Sequence, residues 1–434
     1  MASSELKIEP EAGRAVRAGF PLVHRDHVNS RTRGLSTGSV VDVSDGRGFA
    51  GRGVFEEHSP AAVRILTRDR RQAIDAGFWK SGVEKAVELR RTLVNLSFTD
   101  AWRAVNGAGD GLPGLVVESY SSYAVLRLET EALRPHLSNI VDAVRGTMQP
   151  RGIYEKRKGP EGGKGHHLGG STAPDSLPVR EGNLRFLVRL AEGEKTGLFL
   201  DMREGRRVLA RYSRGRHVIN CFSYTGTLSL TAAAAGSPRV VSVDPVPRSV
   251  AWSRENFAAN GLPPESHEFL NGDPRDVLGR IASSTRRFDL AVIDTPFFAV
   301  RAAAAAASKG KPSKSKGSHK KSKSKSKPKK KSGKKRRMAP ANTGADSAAL
   351  FRTGYADLLR AAVGVLNPHG LIACPVHEHY LPFGEFLGVL RESAEAADVD
   401  LQVLESFGLP ADFPMSPAYP EGQYLKFVVL ALRR

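Results

Sequence analysis

Five places in the chain hold side chains whose types could do chemistry, and each lies at or near the end of an apolar run. The first is Asn220-Cys221-Phe222-Ser223-Tyr224-Thr225-Gly226-Thr227, which leads from a short apolar strand into an Ala-rich stretch. Asp244 closes RVVSVD, eighteen residues beyond Gly226, and Asp273 closes HEFLNGD. Asp294-Thr295-Pro296-Phe297-Phe298 closes FDLAVID, and Cys374 sits in GLIACPV. A carboxylate at a strand end can accept hydrogen bonds from hydroxyls or take a proton, and a thiolate can add to an electron-poor carbon. Each also has a plainer reading: the aspartates as caps of the helix that follows, the cysteines as buried, inert thiols.

The elements that must position these groups alternate from about residue 215 onward. HVINCF reads as a strand, TGTLSLTAAAAG as a small-residue helix, RVVSVD as a strand and PRSVAWSRENFAANG as a helix ending in glycine. HEFLNGD, PRDVLGRIASSTRR and FDLAVID continue the pattern. A helix from about Ser347 to Leu366, the strand GLIACPV, the helix FGEFLGVLRESAEAA and the strands LQVLESF and QYLKFVVLAL complete it. Strands alternating with helices predict a parallel, doubly wound sheet, and the absence of a helix between the last two strands predicts an antiparallel final strand. Residues 1–73, rich in Gly, Arg and short alternating runs such as GSVVDVSD, predict a small β-barrel-like module. Residues 74–190 mix the helix SGVEKAVELRRTL with strands such as GLVVESYS and YAVLRLE, around a Gly-rich loop, GPEGGKGHHLGGSTAPDSLP.

Composition bounds the rest. With 40% hydrophobic and 25% charged residues in 434, the chain can bury sizeable cores and is long enough for two or three domains. It has no apolar run long enough to predict a membrane helix, and MASSELKIEPEAGRAVRAG has no apolar core of a secretory signal. Two distant cysteines exclude a disulfide scaffold or a thiolate-rich zinc site, so a reduced, cytoplasmic protein without metal is expected. Of the net +20, sixteen positive charges lie between Lys309 and Arg337 with no Asp or Glu among them, leaving about +4 for all other residues. The surrounding Lys/Ser-rich stretch, about 301–345, lacks aromatic residues and any apolar period, so it reads as a disordered insertion. It is either a solvated loop or an electrostatic arm for RNA phosphates. Arg68 to Gln72, RDRRQ, has the same two readings.

In a doubly wound sheet the ligand lies at the carboxyl ends of the strands near the topological switch point. The loop Asn220–Thr227 has one glycine, not the G-x-G-x-x-G that lets backbone approach a dinucleotide pyrophosphate. S-adenosylmethionine has no pyrophosphate and suits this loop better than NAD, with Asp244 placed for ribose hydroxyls and Asp273 for adenine. This disfavours an NAD-dependent oxidoreductase.

At this point the chain resembles the large-subunit (23S) rRNA methyltransferase I family. The likeness rests on GDGLPGLVVESY (Gly109 to Tyr120), EKTGLFLDMREGR (Glu194 to Arg206), NCFSYTGTLSL (Asn220 to Leu230), VVSVD (Val240 to Asp244) and FDLAVIDTPFF (Phe288 to Phe298). GRGVFEEHSPAAVRILT (Gly51 to Thr67) resembles the end of the family's PUA domain. The resemblance implies a class I, Rossmann-like methyltransferase with a seven-stranded, mostly parallel sheet over residues 191–434. It implies a PUA-like RNA-binding domain over 1–73 and a middle α/β domain over 74–190. It further implies S-adenosylmethionine as methyl donor, 23S ribosomal RNA as partner, no membrane, and 5-methylcytosine as product; homodimer formation is left open. Phe199, Asp201 and Arg203, in the stretch before the first strand of the methyltransferase sheet, would line the cofactor pocket with Asn220, Phe222, Ser223, Tyr224, Gly226, Asp244, Asp273 and Asp294.

By the same resemblance, Cys374 is the nucleophile that adds to carbon 6 of cytosine, making carbon 5 able to take the methyl group. Asp294 holds the cytosine edge, and Phe297 and Phe298 either stack on an extruded base or belong to the core. Cys221 packs beneath the cofactor. His377 and His379 either tune Cys374 or are surface histidines. The chain departs from the family at two positions on the substrate side: Thr295 replaces a proline, and Pro375 follows Cys374 where the family has serine. A catalytically inactive RNA-binding protein that keeps the fold is the competing reading.

Overall fold

The computed structural model describes residues 4–157, 165–192, 195–295, 344–379 and 381–433, the side chains of 344–350 excepted. Phe297, Phe298 and nearly all of the Lys/Ser-rich stretch lie outside the described residues.

Three sheets and a two-stranded ribbon succeed one another along the chain. The first contains β1 (Ser4–Lys7), β2 (Leu22–His24), β3 (Val40–Asp45), β4 (Gly48–Phe55) and β5 (Ala61–Thr67), in the order β1-β3-β4-β5-β2. A helix not expected from the sequence, α1 (Pro10–Arg17), packs Ala12 and Val16 against it. One glycine and two arginines within eight residues obscure its helical period, while Pro10 sits where the first turn has no use for an N–H.

The second sheet holds β6 (Ala101–Asn106), β7 (Leu115–Tyr120), β8 (Tyr123–Leu128), β9 (Gly152–Lys156) and β10 (Gly165–Gly170), in the order β10-β9-β8-β7-β6. Helix α2 (Ala76–Leu93), capped by Asp75 accepting from the Phe78 N–H, and α3 (Leu137–Met148) cover one face. Strand β10 corrects part of the expected Gly-rich loop. Its glycines are there for close approach: a Cβ on Gly165 would stand 2.0 Å from the Leu190 carbonyl oxygen. The ribbon β11 (Leu177–Glu181) and β12 (Leu184–Val188) follows.

The third sheet has seven strands: β13 (His217–Cys221), β14 (Arg239–Asp244), β15 (Glu268–Asn271), β16 (Phe288–Ile293), β17 (Leu366–His377), β18 (Asp400–Phe407) and β19 (Leu425–Arg433). Their order is β15-β14-β13-β16-β17-β19-β18. The neighbours from β15 to β17 pair in parallel, while β19 runs antiparallel to both β17 and β18. Near-continuous Val, Ile and Leu in the central strands follow from burial on both faces. One face is covered by α4 (Arg203–Ser213), α5 (Thr227–Ala234) and α6 (Pro247–Ala258), the other by α7 (Pro274–Ala282), α8 (Gly344–Val363) and α9 (Phe383–Ala397).

Strand β17 begins earlier than GLIACPV suggests. It starts at Leu366, and a register shift near His369, whose φ is 61°, absorbs the Asn-Pro-His-Gly sequence that reads as a breaker. Helix α8 begins at Gly344, within the stretch expected to be disordered.

The second and third sheets share one core, in which Tyr120, Tyr154 and Phe186 pack with Leu228, Val250 and Phe427. They are also joined through the segment between β18 and β19. There Asn106 donates to the Pro414 carbonyl at 2.9 Å, and Gly109 lets that carbonyl in: a Cβ would lie 1.8 Å from its oxygen. GDGLPGLVVESY is thus, in part, a docking surface between sheets.

Candidate active site

Strand β13 ends at Cys221, and the chain then turns through three left-handed residues, Phe222 (φ 60°), Tyr224 (φ 48°) and Gly226 (φ 72°). Two of them are not glycine, a strained arrangement that the surroundings hold in place. The Ser223 N–H donates to the Val243 carbonyl at 2.9 Å and the Tyr224 N–H to Asp244 Oδ2 at 2.8 Å. Gly226 has no room for a side chain, since a Cβ would meet Ser253 Oγ at 1.8 Å. Asp244 also accepts from the Val246 N–H at 2.9 Å, so it organises the ends of β13 and β14 together. Burial raises its carboxyl above the ordinary value, against those two N–H bonds. Tyr224 lies between the rings of Phe199 (centroids 5.4 Å) and Trp252 (6.3 Å). Gly197, at φ 107°, permits the approach of Trp252, because a Cβ would sit 2.3 Å from that ring.

A second group of side chains meets at the ends of β16 and β17. The Asp294 N–H donates to the Cys221 carbonyl at 3.3 Å, fixing the carboxylate beside the β13 loop. His377 stands between two acids, with Nδ1 3.6 Å from Asp201 Oδ2 and Nε2 4.0 Å from Asp294 Oδ1. Those separations are ion-pair rather than hydrogen-bond distances. The Tyr424 hydroxyl donates to Asp201 at 2.7 Å. Burial and the neighbouring Asp201 push the Asp294 carboxyl up to about 6, against the pull of His377. Burial would also raise Asp201, but His377, the Tyr424 hydroxyl and the Arg103 guanidinium outweigh it and hold that carboxyl well below the usual range. For His377, burial favours the neutral ring, and the two acids reverse this and raise its pKa.

The expected site residues divide between these groups and other places. Phe199, Asp201, Phe222, Ser223, Tyr224, Gly226, Asp244 and Asp294 come together at the carboxyl ends of the strands. Asn220 is buried and donates to Ser229 Oγ of α5 at 2.9 Å. Asp273 caps α7, accepting from the Arg275 N–H at 2.9 Å and from its guanidinium at 2.5 Å. Arg203 is committed elsewhere, to Asp412 at 2.6 Å and to the Ala101 carbonyl at 2.7 Å. Arg68, at the start of RDRRQ, reaches back to the carbonyls of Val16 and Phe20. Cys221 and Cys374 are both fully buried within the α7–α9 face, and burial pushes each thiol up to about 12. Cys374 neighbours the buried Tyr355 hydroxyl, which has no geometry-satisfying hydrogen bond among the described residues.

Sequence reasoning missed the pairing of His377, whose two acids come from distant segments, and it missed Tyr424 altogether. A tyrosine just before a strand carries no signal by itself. Among the described residues, no group of three or more His, Cys, Asp or Glu is placed to hold a metal ion. No helix among them is long and apolar enough to cross a membrane.

A cofactor with hydroxyls and a flat ring fits the β13–β14 side. Ser223 Oγ and Asp201 Oδ1 are buried without a partner among the described residues, and Gly226 and Gly197 keep the cradle clear of side chains.

Comparisons with known proteins agree with this fold. Residues 128–306 match the family model of an S-adenosylmethionine-dependent methyltransferase, and residues 6–68 match a PUA-like domain. The ribosomal RNA large subunit methyltransferase I of Pseudoalteromonas atlantica is 26% identical over 435 residues, covering 98% of this chain and 99% of that one. A SAM-dependent methyltransferase from Streptococcus mutans superposes with a TM-score of 0.80 at 20% identity, over 99% of this chain and 100% of the other. The SMU.776 methyltransferase, solved as a complex with SAH, superposes with a TM-score of 0.78 at 21% identity over the same shares. The family resembled by the motifs and the name of the Pseudoalteromonas relative are the same.

Proposed function

We propose, for a chain whose residues 128–306 match an S-adenosylmethionine-dependent methyltransferase model and whose residues 6–68 match a PUA-like domain, that it methylates carbon 5 of a cytosine in 23S ribosomal RNA. The observation that carries this reading is the meeting of the β13–β14 cradle with the Asp201–His377–Asp294 cluster at one end of the sheet. The name of the Pseudoalteromonas relative supplies the RNA. In this division of labour, residues 1–73 dock the RNA, residues 74–190 brace the catalytic sheet and residues 191–434 carry the reaction in the cytoplasm.

S-adenosylmethionine supplies an electrophilic methyl group on a sulfonium. Asp244 would hold the ribose hydroxyls, and Phe199, Phe222, Ser223, Tyr224 and Gly226 would form the cradle; the expected contact of Asp273 with the adenine would require it to act from the α7 cap, where it holds Arg275. Asp201 and Asp294 face the reacting end. The Cys374 thiol would pass its proton to a base of the pocket as its sulfur bonds to carbon 6 of the cytosine, and the electron pair thereby placed on carbon 5 would take the methyl group as that group's bond to the sulfonium sulfur breaks. Asp294 holds the base edge, and it or His377 then takes the carbon-5 proton as the carbon–sulfur bond breaks. A carboxyl titrating near 6 is suited to that exchange at neutral pH.

One observation favours a second reading, an RNA-binding protein that keeps the fold without the chemistry: Cys374 is fully buried, with its thiol pushed up to about 12. Transfer of labelled methyl groups from S-adenosylmethionine to unmodified 23S rRNA separates the two. Incorporation is expected; S-adenosylmethionine binding without incorporation overturns the enzyme in favour of the RNA binder. The Lys/Ser-rich stretch adds phosphate contacts in this account, so deleting residues 309–337 lowers the salt dependence of RNA binding.

A further inference from the structure

We propose that a cavity adjoining the candidate active site receives an RNA base next to the one being modified, an inference that rests on reading the chain as an RNA methyltransferase. The cavity, of about 480 Å³, lies where β17 and β18 end and where α9 and β19 begin. Its apolar walls are Phe383, Phe407 and Leu425; its polar groups include His379, Gln423 and Lys426. Phe383, the first residue of α9, is 40% exposed although it is a large aromatic. Phe407 is held flat against Phe427, with centroids 4.6 Å apart and rings 21° from parallel.

Lys426 is unusual for a lysine in being only 5% exposed. Its Nζ donates to the carbonyls of Glu378 at 2.6 Å and Tyr424 at 3.3 Å, two of the three bonds an ammonium can make. Gln423 reaches the cavity because residue 408 is glycine; a Cβ there would lie 1.7 Å from the Gln423 amide nitrogen. An aromatic wall beside a fixed cation and an amide is the chemistry that receives a flat ring bearing carbonyl oxygens. Single-stranded RNA is bound by such means, with unstacked bases laid on aromatic side chains and read at their edges.

The cavity also shares a wall with the acid cluster. His379, whose Nδ1 faces the Glu421 carbonyl at 2.9 Å, packs against Tyr424 with centroids 5.0 Å apart and rings tilted by 42°, and the Tyr424 hydroxyl is bonded to Asp201. A base seated there stands one aromatic ring away from Asp201. A flanking nucleotide would therefore help to set the position of the target.

The test compares wild type, Phe383→Ala and Phe383→Trp with an unmodified 23S rRNA transcript, measuring RNA affinity by filter binding and methyl transfer by label incorporation. Loss of one stacked base predicts RNA binding weakened about fivefold to a hundredfold in Phe383→Ala and restored in Phe383→Trp. KM for RNA rises in parallel, while kcat and the calorimetric affinity for S-adenosylmethionine are unchanged. Unchanged RNA affinity in a Phe383→Ala protein that melts like wild type overturns the proposal. If wild type transfers no methyl group yet Phe383→Ala still loosens the RNA, the enzyme reading falls and the base pocket stands.

Discussion

Two clusters of charge in this molecule, both built on aspartates, serve opposite ends. Around Arg90, every donor of the guanidinium is taken: Asp110 at 2.5 and 2.8 Å, and the carbonyls of Ala86, Arg103 and Asp412. Asp412 in turn accepts from the Arg103 N–H at 2.9 Å and from Arg203 at 2.6 Å. That cluster bolts the β18–β19 segment to the second sheet. Around His377 the contacts are 3.6 and 4.0 Å, Asp201 Oδ1 has no partner among the described residues, and the Asp294 carboxyl is displaced to about 6. A cluster built on a fully bonded guanidinium holds the structure together, whereas one with loose contacts and displaced titration is where the proposed function places the substrate.

The comparison can be broken by exchanging the expected phenotypes. The largest expected effect belongs to Asp294→Asn, which removes the proposed proton acceptor and should lower kcat by about 10²–10⁴-fold in methyl-transfer assays. Asp412→Ala strips the partner from Arg203 and costs about 3–5 kcal/mol in denaturant unfolding, with S-adenosylmethionine affinity retained below the melting temperature. If instead Asp412→Ala silenced transfer in a protein of normal stability, the two clusters would not differ as described.

Asp294 supplies a finer test through its titration. Its folded-state pKa of about 6 lies above the ordinary 3.8, so the folded chain binds this proton more tightly than the unfolded chain does. Its favourable contribution is therefore full below about pH 4 and is lost as the pH rises through 6. Asp294→Asn should accordingly be more stable than wild type at pH 8 by about 1–3 kcal/mol, even as it loses activity. The acid limb of wild-type kcat should fall near pH 6. Smallest in its effect on activity is Tyr424→Phe, which deletes one hydrogen bond to the Asp201 carboxylate and shows as a raised Asp201 pKa with RNA binding intact.

The legible part of the molecule is the part whose signals are local. The β13 loop, Asp244 and Asp294 are each announced by an apolar run that ends in a polar group, and the structure has the strands His217–Cys221, Arg239–Asp244 and Phe288–Ile293 there. What was not legible depends on distant contacts. Arg203 stands in a motif that resembles a cofactor-lining segment, but Asp412, some two hundred residues on, takes its guanidinium. The His377 cluster draws on Asp201, Asp294 and Tyr424 from three separate segments, and no spacing rule relates them. Strand β10 was hidden because glycines chosen for close approach look like a loop.

The measurement that bears most directly on the central claim is nucleoside mass spectrometry of unmodified 23S rRNA after incubation with S-adenosylmethionine and either wild type or Cys374→Ala. The account predicts new 5-methylcytidine with wild type and none with the variant. A methylated nucleoside that persists in Cys374→Ala would contradict the cysteine adduct, and no methylation by wild type that binds S-adenosylmethionine would contradict the enzyme.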